Sequence, residues 1–173
     1  MPEQETALPE LIILGAGGYG QALAEVAQML NQWSNIYFVD DQWPNKKVIN
    51  GIKVVSNIVG LKEWIENKRI ECIAAVGNNQ IRRKWHEALM ARDIPLATII
   101  HPSAIISPSV KIGKGVSIMA GCILSSNVII KNGVLLNLGV LLDHDVVVSE
   151  YAHLSVGVKC AGGELIEENA ILK

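Results

Sequence analysis

The sequence predicts two domains, an α/β Rossmann-like domain over residues 1–101 and a parallel β-helix over residues 102–173. Three observations lead to this prediction. The first half alternates short apolar runs with segments of helical periodicity, which is typical of a parallel sheet with helical crossovers. A G-x-G-x-x-G turn joins the first such pair. From Ala104 onward, apolar residues recur at a period of six, as they do in a solenoid.

The elements of the first half follow from these runs. Strands are expected at residues 11–14, 36–39 and 72–76, with a short strand or hairpin within 46–55 and a last strand at 96–100. Helices are expected at residues 21–30, 58–67 and 80–92. The last helix is expected to turn Ile81, Trp85, Ala88 and Leu89 toward the core.

A glycine-rich turn, Gly15 to Gly20, links the first strand to the first helix. Gly15, Gly17 and Gly20 match the dinucleotide-binding fingerprint, in which a phosphate approaches the backbone at the N-terminus of a helix. Asp40, at the end of the next strand, lies where such folds bind a ribose hydroxyl. Two alternatives stay open: the glycines form only a structural turn, and Asp40 with Asp41 forms only a solvated strand end.

The second half is a repeat of six-residue steps. Its first column runs from Ala104 to Ala170 and its third from Ile106 to Leu172, and only Glu164 breaks the apolar rule. Because strand side chains alternate, both columns are expected to point inward. Apolar residues also fall at outward positions, which indicates an interface and a homo-oligomer; these are Leu135, Leu138, Leu141 and Val147.

One step of the repeat carries a candidate general base. His144 lies between Asp143 and Asp145, and a neighbouring carboxylate raises the basicity of an imidazole and fixes its tautomer. The alternative is a solvent-exposed histidine at a corner. Asn137, at another outward position, is counted with His144 and Asp145 among the candidate catalytic residues.

The other histidines receive lesser roles. His153 lies nine residues after His144, which is not a whole number of steps, so the two are expected on different sides of one prism and would meet only across a subunit boundary. An interface hydrogen bond is the alternative for His153. His86 is expected at the surface and His101 in a structural role at the domain junction. No cluster has the spacing of a metal site.

Composition excludes several classes of function. Half of the 173 residues are hydrophobic and only 5% are aromatic, which suits buried parallel strands. A formal net charge of −2 gives no basic field for nucleic acid. The first ten residues lack a secretory signal, and no apolar run reaches the ~18 residues of a membrane span. The expectation is a cytoplasmic protein, with its three cysteines reduced and buried.

The chain resembles the hexapeptide-repeat nucleotide-sugar acetyltransferases of the sialic acid O-acetyltransferase (NeuD-like) family, and most of all their UDP-4-amino-sugar N-acetyltransferases of bacillosamine synthesis (PglD-like). The matching segments are LIILGAGGYGQALAEVA, FVDD, VGNNQIRRK, HPSAIISPSV and LLDHDVVVSEYAHLSVGVKCAGG. The resemblance implies a left-handed β-helix, a homotrimer with active sites between subunits, and acetyl-CoA as co-substrate without a metal. Relatives continue for several more coils, so the β-helix is expected to be truncated at Lys173.

The resemblance also implies roles for single residues. His144 would be the catalytic base, polarised by Asp145, and His153 and Gly162 would lie near acetyl-CoA. The UDP-sugar would be held by Gly15, Gly17, Gly18, Gly20, Asp40, Asp41, Gly77 and Asn78. His144 would remove a proton from the 4-amino group of the sugar as that nitrogen attacks the thioester.

Three other functions compete with this one. Within the family, the chain would instead O-acetylate a sialic-acid-type sugar. A nucleotide-sugar-binding trimer without activity is the non-enzymatic alternative. The glycine turn with Asp40 also fits an NAD-dependent oxidoreductase, although the repeat leaves no substrate domain suited to hydride transfer.

Overall fold

A computed structural model describes residues 8–66 and 68–173. The N-terminal domain is built on a five-stranded sheet of order β3-β4-β2-β1-β5, in which only the β3–β4 hairpin is antiparallel. Its strands are β1 (Glu10–Leu14), β2 (Ile36–Val39), β3 (Val48–Ile49), β4 (Ile52–Ser56) and β5 (Ile70–Ala74). Its helices are α1 (Gly18–Leu30), α2 (Leu61–Trp64) and α3 (Asn79–Met90). The predicted α/β class is confirmed.

Two predicted elements differ in extent. The helix expected over 58–67 is only α2, because the Gly60 N–H donates to the Asn57 side chain and holds a turn before Leu61; Asn67 lies outside the described residues. The strand expected over 96–100 is divided. Leu96 makes a single bridge to Cys72 of β5, whereas β6 (Ile99–Ile100) pairs with the second domain. The chain therefore leaves the sheet shortly before the predicted boundary at residue 101.

The second domain is a parallel β-helix, as predicted. Each strand has two residues and pairs with the strand 18 residues further on, so that one coil comprises three six-residue steps. The strands are β7 (Ile105–Ile106), β8 (Lys111–Ile112), β9 (Ser117–Ile118), β10 (Ile123–Leu124), β11 (Ile129–Ile130), β12 (Leu135–Leu136), β13 (Leu141–Leu142), β14 (Val147–Val148), β15 (His153–Leu154), β16 (Lys159–Cys160), β17 (Leu165–Ile166) and β18 (Ile171–Leu172). The two predicted apolar columns form its core.

The corners of the coil share one backbone conformation. Every sixth residue from 115 to 169 has a positive φ: Gly115, Gly121, Asn127, Gly133, Gly139, Asp145, Tyr151, Gly157, Gly163 and Asn169. This left-handed region is cheap for glycine and tolerable for Asn and Asp. The repeat therefore contains a third column, at its sixth position, that the apolar pattern alone does not reveal.

The coil has three faces, and the N-terminal domain covers one of them. This docking face consists of β6, β9, β12, β15 and β18. The Tyr19 hydroxyl hydrogen-bonds Ser117 there, and Asn79 of α3 donates to the carbonyls of Asn169 and Ala170. The expectation that Leu135 belongs to an exposed patch is wrong, because Leu135 lies between Ser117 and His153 on this face and is 1% exposed.

The two free faces are β7, β10, β13 and β16, and β8, β11, β14 and β17. They meet at what we call the free corner, residues 107–109, 125–127, 143–145 and 161–163. In a three-sided coil this corner lies opposite the docking face.

Helix α3 turns a polar face toward the coil. Arg82 and His86 are buried, whereas Ile81 is 43% exposed and Ala88 is also exposed. Of the four residues predicted to face the core, Ile81 and Ala88 therefore do not. The expectation of a surface His86 is wrong. Its Nε2 accepts the Ala74 N–H at 3.0 Å, and a side chain at Gly115 of the coil would meet the His86 ring at 2.6 Å. His101 is half-buried, and its Nδ1 accepts the Ser103 N–H at the first corner.

The burial of His86 predicts an acid-sensitive domain junction. Burial, and then the nearby Arg82 charge, lower the pKa of His86 from 6.5 to about 4. The unfolded chain therefore binds a proton that the folded chain excludes, and stability falls as the pH drops from 6.5 to 4. We expect His86→Gln, which keeps an acceptor for Ala74, to remove about 3 kcal/mol of this loss.

Urea unfolding of both proteins at several pH values measures this difference. His101→Gln is the matched control, since it removes a less buried histidine and leaves the hydrogen bond between His86 and Ala74 intact. If the free energy of unfolding depends on pH equally in the wild type and in His86→Gln, the prediction is wrong.

Candidate active site

The glycine turn has a packed side and an open side. Gly15 has a φ of +103°, and a Cβ there would lie 2.9 Å from the Ala75 carbonyl oxygen. A Cβ at Gly20 would collide with the Gly15 carbonyl. Nothing lies within 4 Å of a Cβ at Gly17 or Gly18. Gly15 and Gly20 are therefore required by packing, whereas Gly17 and Gly18, at the start of α1, leave room for a ligand.

Asp40 is held by the backbone at the edge of this turn. Its Oδ2 accepts the Ala16 N–H at 2.8 Å, and its Oδ1 accepts the Gln42 N–H at 2.9 Å. The carboxylate thus ties the end of β2 to the glycine turn, and each oxygen keeps a lone pair for a further donor. Asp41 beside it is exposed.

A cavity of about 210 Å³ lies where these elements meet. It brings together four of the eight residues predicted to bind the sugar nucleotide, and its lining does not include Gly18, Gly20, Gly77 or Asn78. Asn78 instead caps α3 by accepting the Ile81 N–H. The full lining is Gly15, Gly17, Val39, Asp40, Asp41, Ile58, Ala75, Val76 and Trp85. The lining includes Ile58 and Trp85, which sequence reasoning assigned only to helices. The cavity lies beyond the carboxyl ends of β1, β2 and β5, the usual ligand position in α/β sheets.

His144 stands at the free corner of the coil. Its Nδ1 lies 2.8 Å from Oδ2 of Asp145, its backbone N–H donates to Asp143, and its side chain is 58% exposed. Gly162 lies one coil further on, and a Cβ there would come within 2.5 Å of His144 Nε2. The absence of a side chain at Gly162 therefore leaves space for the imidazole and its second nitrogen.

The charges at this corner favour a basic imidazole. The hydrogen bond that His144 donates to Asp145, and then the Asp143 charge, raise the pKa of His144. Bonds from His144 and Asn127 lower the pKa of Asp145. With Nδ1 bound to Asp145, Nε2 is the nitrogen free to take a proton.

Asn127 is a site residue that sequence reasoning missed. Its side-chain amide donates to Asp145 Oδ1 at 3.1 Å, which fixes the carboxylate that binds His144. Asn127 and Asp145 occupy successive turns of the same corner, 18 residues apart, and both have a positive φ. That spacing was visible in the sequence as two residues of the sixth column, but only the length of the coil shows that they touch.

His153 and Asn137 lie elsewhere. His153 belongs to β15 on the docking face and is half-buried; burial and the Arg82 charge lower its pKa, while a Gly77 backbone bond raises it. Within one chain it is therefore on a different side from His144, as expected. Asn137 accepts the Leu138 N–H at 2.8 Å at the corner that precedes β13, so the structure does not place it beside His144.

Comparison with known proteins identifies the family to which the chain belongs. Residues 10–89 match the family described as PglD N-terminal domain. GDP-perosamine N-acetyltransferase from Escherichia coli O157:H7 is 31% identical over 168 residues, which cover 92% of this chain and 73% of the relative. The chain belongs to the hexapeptide-repeat family of nucleotide-sugar acetyltransferases.

Solved structures of this acetyltransferase family agree. The acetyltransferase domain of PglB from Neisseria gonorrhoeae is 30% identical, with a TM-score of 0.84 over 94% of this chain and 84% of that domain. The same domain in complex with acetyl coenzyme A is 29% identical, with a TM-score of 0.81 over 95% of this chain and 85% of that domain. Among the described residues, no helix is long and apolar enough to cross a membrane, and no cluster of His, Cys, Asp and Glu is arranged to hold a metal ion.

The contact between His144 and Asp145 gives a direct prediction for this acetyltransferase family member. Asp145→Asn keeps a residue that tolerates the positive φ but removes the charge. We expect the pKa of His144 to fall, since the Asp145 bond is the largest cause of its rise. Titration of the histidine ring signals by NMR measures the shift.

Asp143→Asn is the matched control for this titration. It removes only the smaller, through-space contribution of Asp143, so the pKa of His144 should fall less than in Asp145→Asn. A His144 pKa that does not change in Asp145→Asn would show that the pair does not exist in solution.

Proposed function

We propose that the protein transfers an acetyl group from acetyl-CoA to the 4-amino group of a nucleotide-linked amino-deoxysugar, with His144 as general base. The observation that carries this proposal is the corner at which Asp145 binds one nitrogen of His144 while Gly162 leaves the other accessible. The relatives support the reaction class, since they are named as N-acetyltransferases of sugars or are bound to acetyl-CoA.

The proposed reaction needs one base and one acyl donor. The sugar nitrogen attacks the thioester carbonyl carbon, and His144 Nε2 takes the proton that the nitrogen loses. The C–S bond then breaks, the acetyl group remains on nitrogen, and the coenzyme leaves as a thiolate that receives the proton. Asp145 stabilises the imidazolium formed between these steps.

The nucleotide would occupy the cavity beside the glycine turn. Gly17 and Gly18, at the N-terminus of α1, leave the open side that a diphosphate needs. Asp41 presents a carboxylate that accepts N–H groups of a base. A UDP-linked, bacillosamine-type sugar is the acceptor implied by the sequence, and a GDP-linked sugar is the second candidate, because the Escherichia coli relative is named for GDP-perosamine.

Acetyl-CoA would bind along the coil between subunits, with His153 and Gly162 among its contacts and Asn137 completing the site. The free faces support an assembly of copies, in keeping with a homotrimer. Ile105 and Ile123 are 64% and 43% exposed on one face, and Leu165 is 60% exposed on the other. Such apolar surface beside His144 favours burial against a second chain.

The catalytic assignment predicts the effect of His144→Ala. Loss of the general base should reduce acetyl transfer by roughly 10²–10⁴-fold, because proton removal from the attacking nitrogen is then left to water. Thiol release from acetyl-CoA, with a UDP-linked 4-amino-4,6-dideoxy sugar and GDP-perosamine as acceptors, measures turnover.

Two further variants sharpen this assay. Gly162→Ala should also reduce turnover, since its methyl group displaces the His144 ring, while thermal stability changes little. Glu25→Ala, at an exposed position of α1, is the control and should be fully active. Wild-type turnover in His144→Ala would remove His144 from the mechanism.

The assembly is tested by its mass. The double variant Ile105→Glu/Ile123→Glu places two charges on one free face and should shift the trimer to monomers in light scattering after gel filtration. Val59→Glu, at an apolar position of the N-terminal domain that is 83% exposed, should leave the trimer intact. A monomeric wild type, or a double variant that remains trimeric, contradicts the proposed interface.

A further inference from the structure

We propose that Arg82 is a positioning residue: across the domain junction, it fixes the loop after β5, residues 76–78, relative to the corner of the coil that precedes His153. The inference rests on the proposed function, because it takes the cavity lined by Val76 as the nucleotide site and His153 as a contact of acetyl-CoA. Arg82 itself touches neither substrate in this arrangement and acts through the backbone groups it binds.

On the coil side, Arg82 hydrogen-bonds two successive turns of one corner. Its Nε donates to the Gly133 carbonyl at 2.8 Å, and its Nη2 donates to the Tyr151 carbonyl at 2.7 Å. Gly133 and Tyr151 are 18 residues apart and both have a positive φ. Tyr151 is the one bulky residue in that column, and its carbonyl lies two residues before His153.

On the side of the N-terminal domain, the same guanidinium fixes the end of β5. Its Nη1 donates to the Val76 carbonyl at 3.0 Å and to the Gly77 carbonyl at 3.5 Å, and its Nη2 donates to Asn79 Oδ1 at 2.9 Å. Val76 lines the proposed nucleotide cavity, and Gly77 precedes Asn78. Arg82 therefore fixes the backbone of the loop at residues 76–78, which the sequence predicts to contact the substrate.

The side chain is costly for a merely structural contact. Arg82 is 1% exposed, and its five hydrogen bonds all go to neutral acceptors. A buried charge without a carboxylate loses hydration that neutral groups replace only in part, and apolar packing often stabilises such a position equally well. A planar fork with five donors is, however, the group that fixes several carbonyls in one geometry.

The charge also acts on His153. Burial, and then the Arg82 charge, lower the pKa of His153. Position and charge are thus two separable contributions, and each has its own variant. Arg82→Lys keeps the charge but offers three donors to five acceptors, whereas Arg82→Met removes both.

The adjacent Arg83 provides the matched control. Arg83 also links α3 to the coil, through an ion pair with Glu168, but its side chain is partly exposed. Its contact with Tyr151 is to the aromatic ring rather than to the carbonyl that Arg82 binds. Arg83→Gln therefore removes a cross-domain contact without touching the fork.

The experiment measures binding of UDP-linked 4-amino-4,6-dideoxy sugar and of GDP-perosamine by calorimetry without acetyl-CoA, and the His153 pKa by NMR, well below each variant's Tm. We expect Arg82→Lys and Arg82→Met to weaken sugar-nucleotide binding roughly tenfold, since small misplacements of site groups cost this much. The pKa of His153 should rise in Arg82→Met only. Arg83→Gln should change neither.

Wild-type affinity and His153 pKa in both Arg82 variants, with only a lower Tm, would overturn the proposal and leave Arg82 a structural strut. If Arg82→Met does not fold, the affinity of Arg82→Lys decides. If the wild type binds the probes but transfers no acetyl group, the proposed function fails while these measurements still decide the role of Arg82. A wild type that binds neither probe overturns both.

Discussion

The left-handed backbone conformation at every sixth residue is the constraint on which the coil and its candidate site depend. It closes each coil in 18 residues, so residues 18 apart lie directly over one another. That register places the Asn127 amide on Asp145 and leaves Gly162 beside the His144 ring. The polar arrangement at the free corner therefore follows from the same regularity that buries the apolar columns, and Asp145 fits there because aspartate tolerates a positive φ.

The second determinant is the way the N-terminal domain covers one face of the coil. Arg82, His86 and Asn79 of α3 bind backbone groups or pack at that junction. Arg82 links Val76, in the lining of the cavity beside the glycine turn, to Tyr151, two residues before His153. His144 remains on the opposite corner, between two faces with exposed apolar residues. In the proposed function, His144 and His153 of one site come from neighbouring chains, so that catalysis depends on assembly.

The sequence predicted the features that depend on local periodicity. The six-residue repeat, the glycine turn and the pairing of His144 with Asp145 were all legible because each needs only short-range spacing. The burial of Leu135 and His86 could not be predicted in this way, since periodicity shows which way a side chain points but not what covers it. Asn127 was missed for a related reason, since its contact with Asp145 requires knowledge of the coil length. The strand expected over 96–100 is divided because Ile99 and Ile100 pair with the second domain, whereas Leu96 stays with β5.

A mixed-trimer experiment tests the central claim, that one site uses His144 from one subunit and His153 from its neighbour. His144→Ala and His153→Ala chains, each of which we expect to be inactive alone, are unfolded and reassembled together in equal amounts. If the two histidines serve one site across the interface, about one quarter of the sites receive both intact residues, and the mixture regains about that fraction of wild-type acetyl transfer. A mixture as inactive as its separate components would contradict the account.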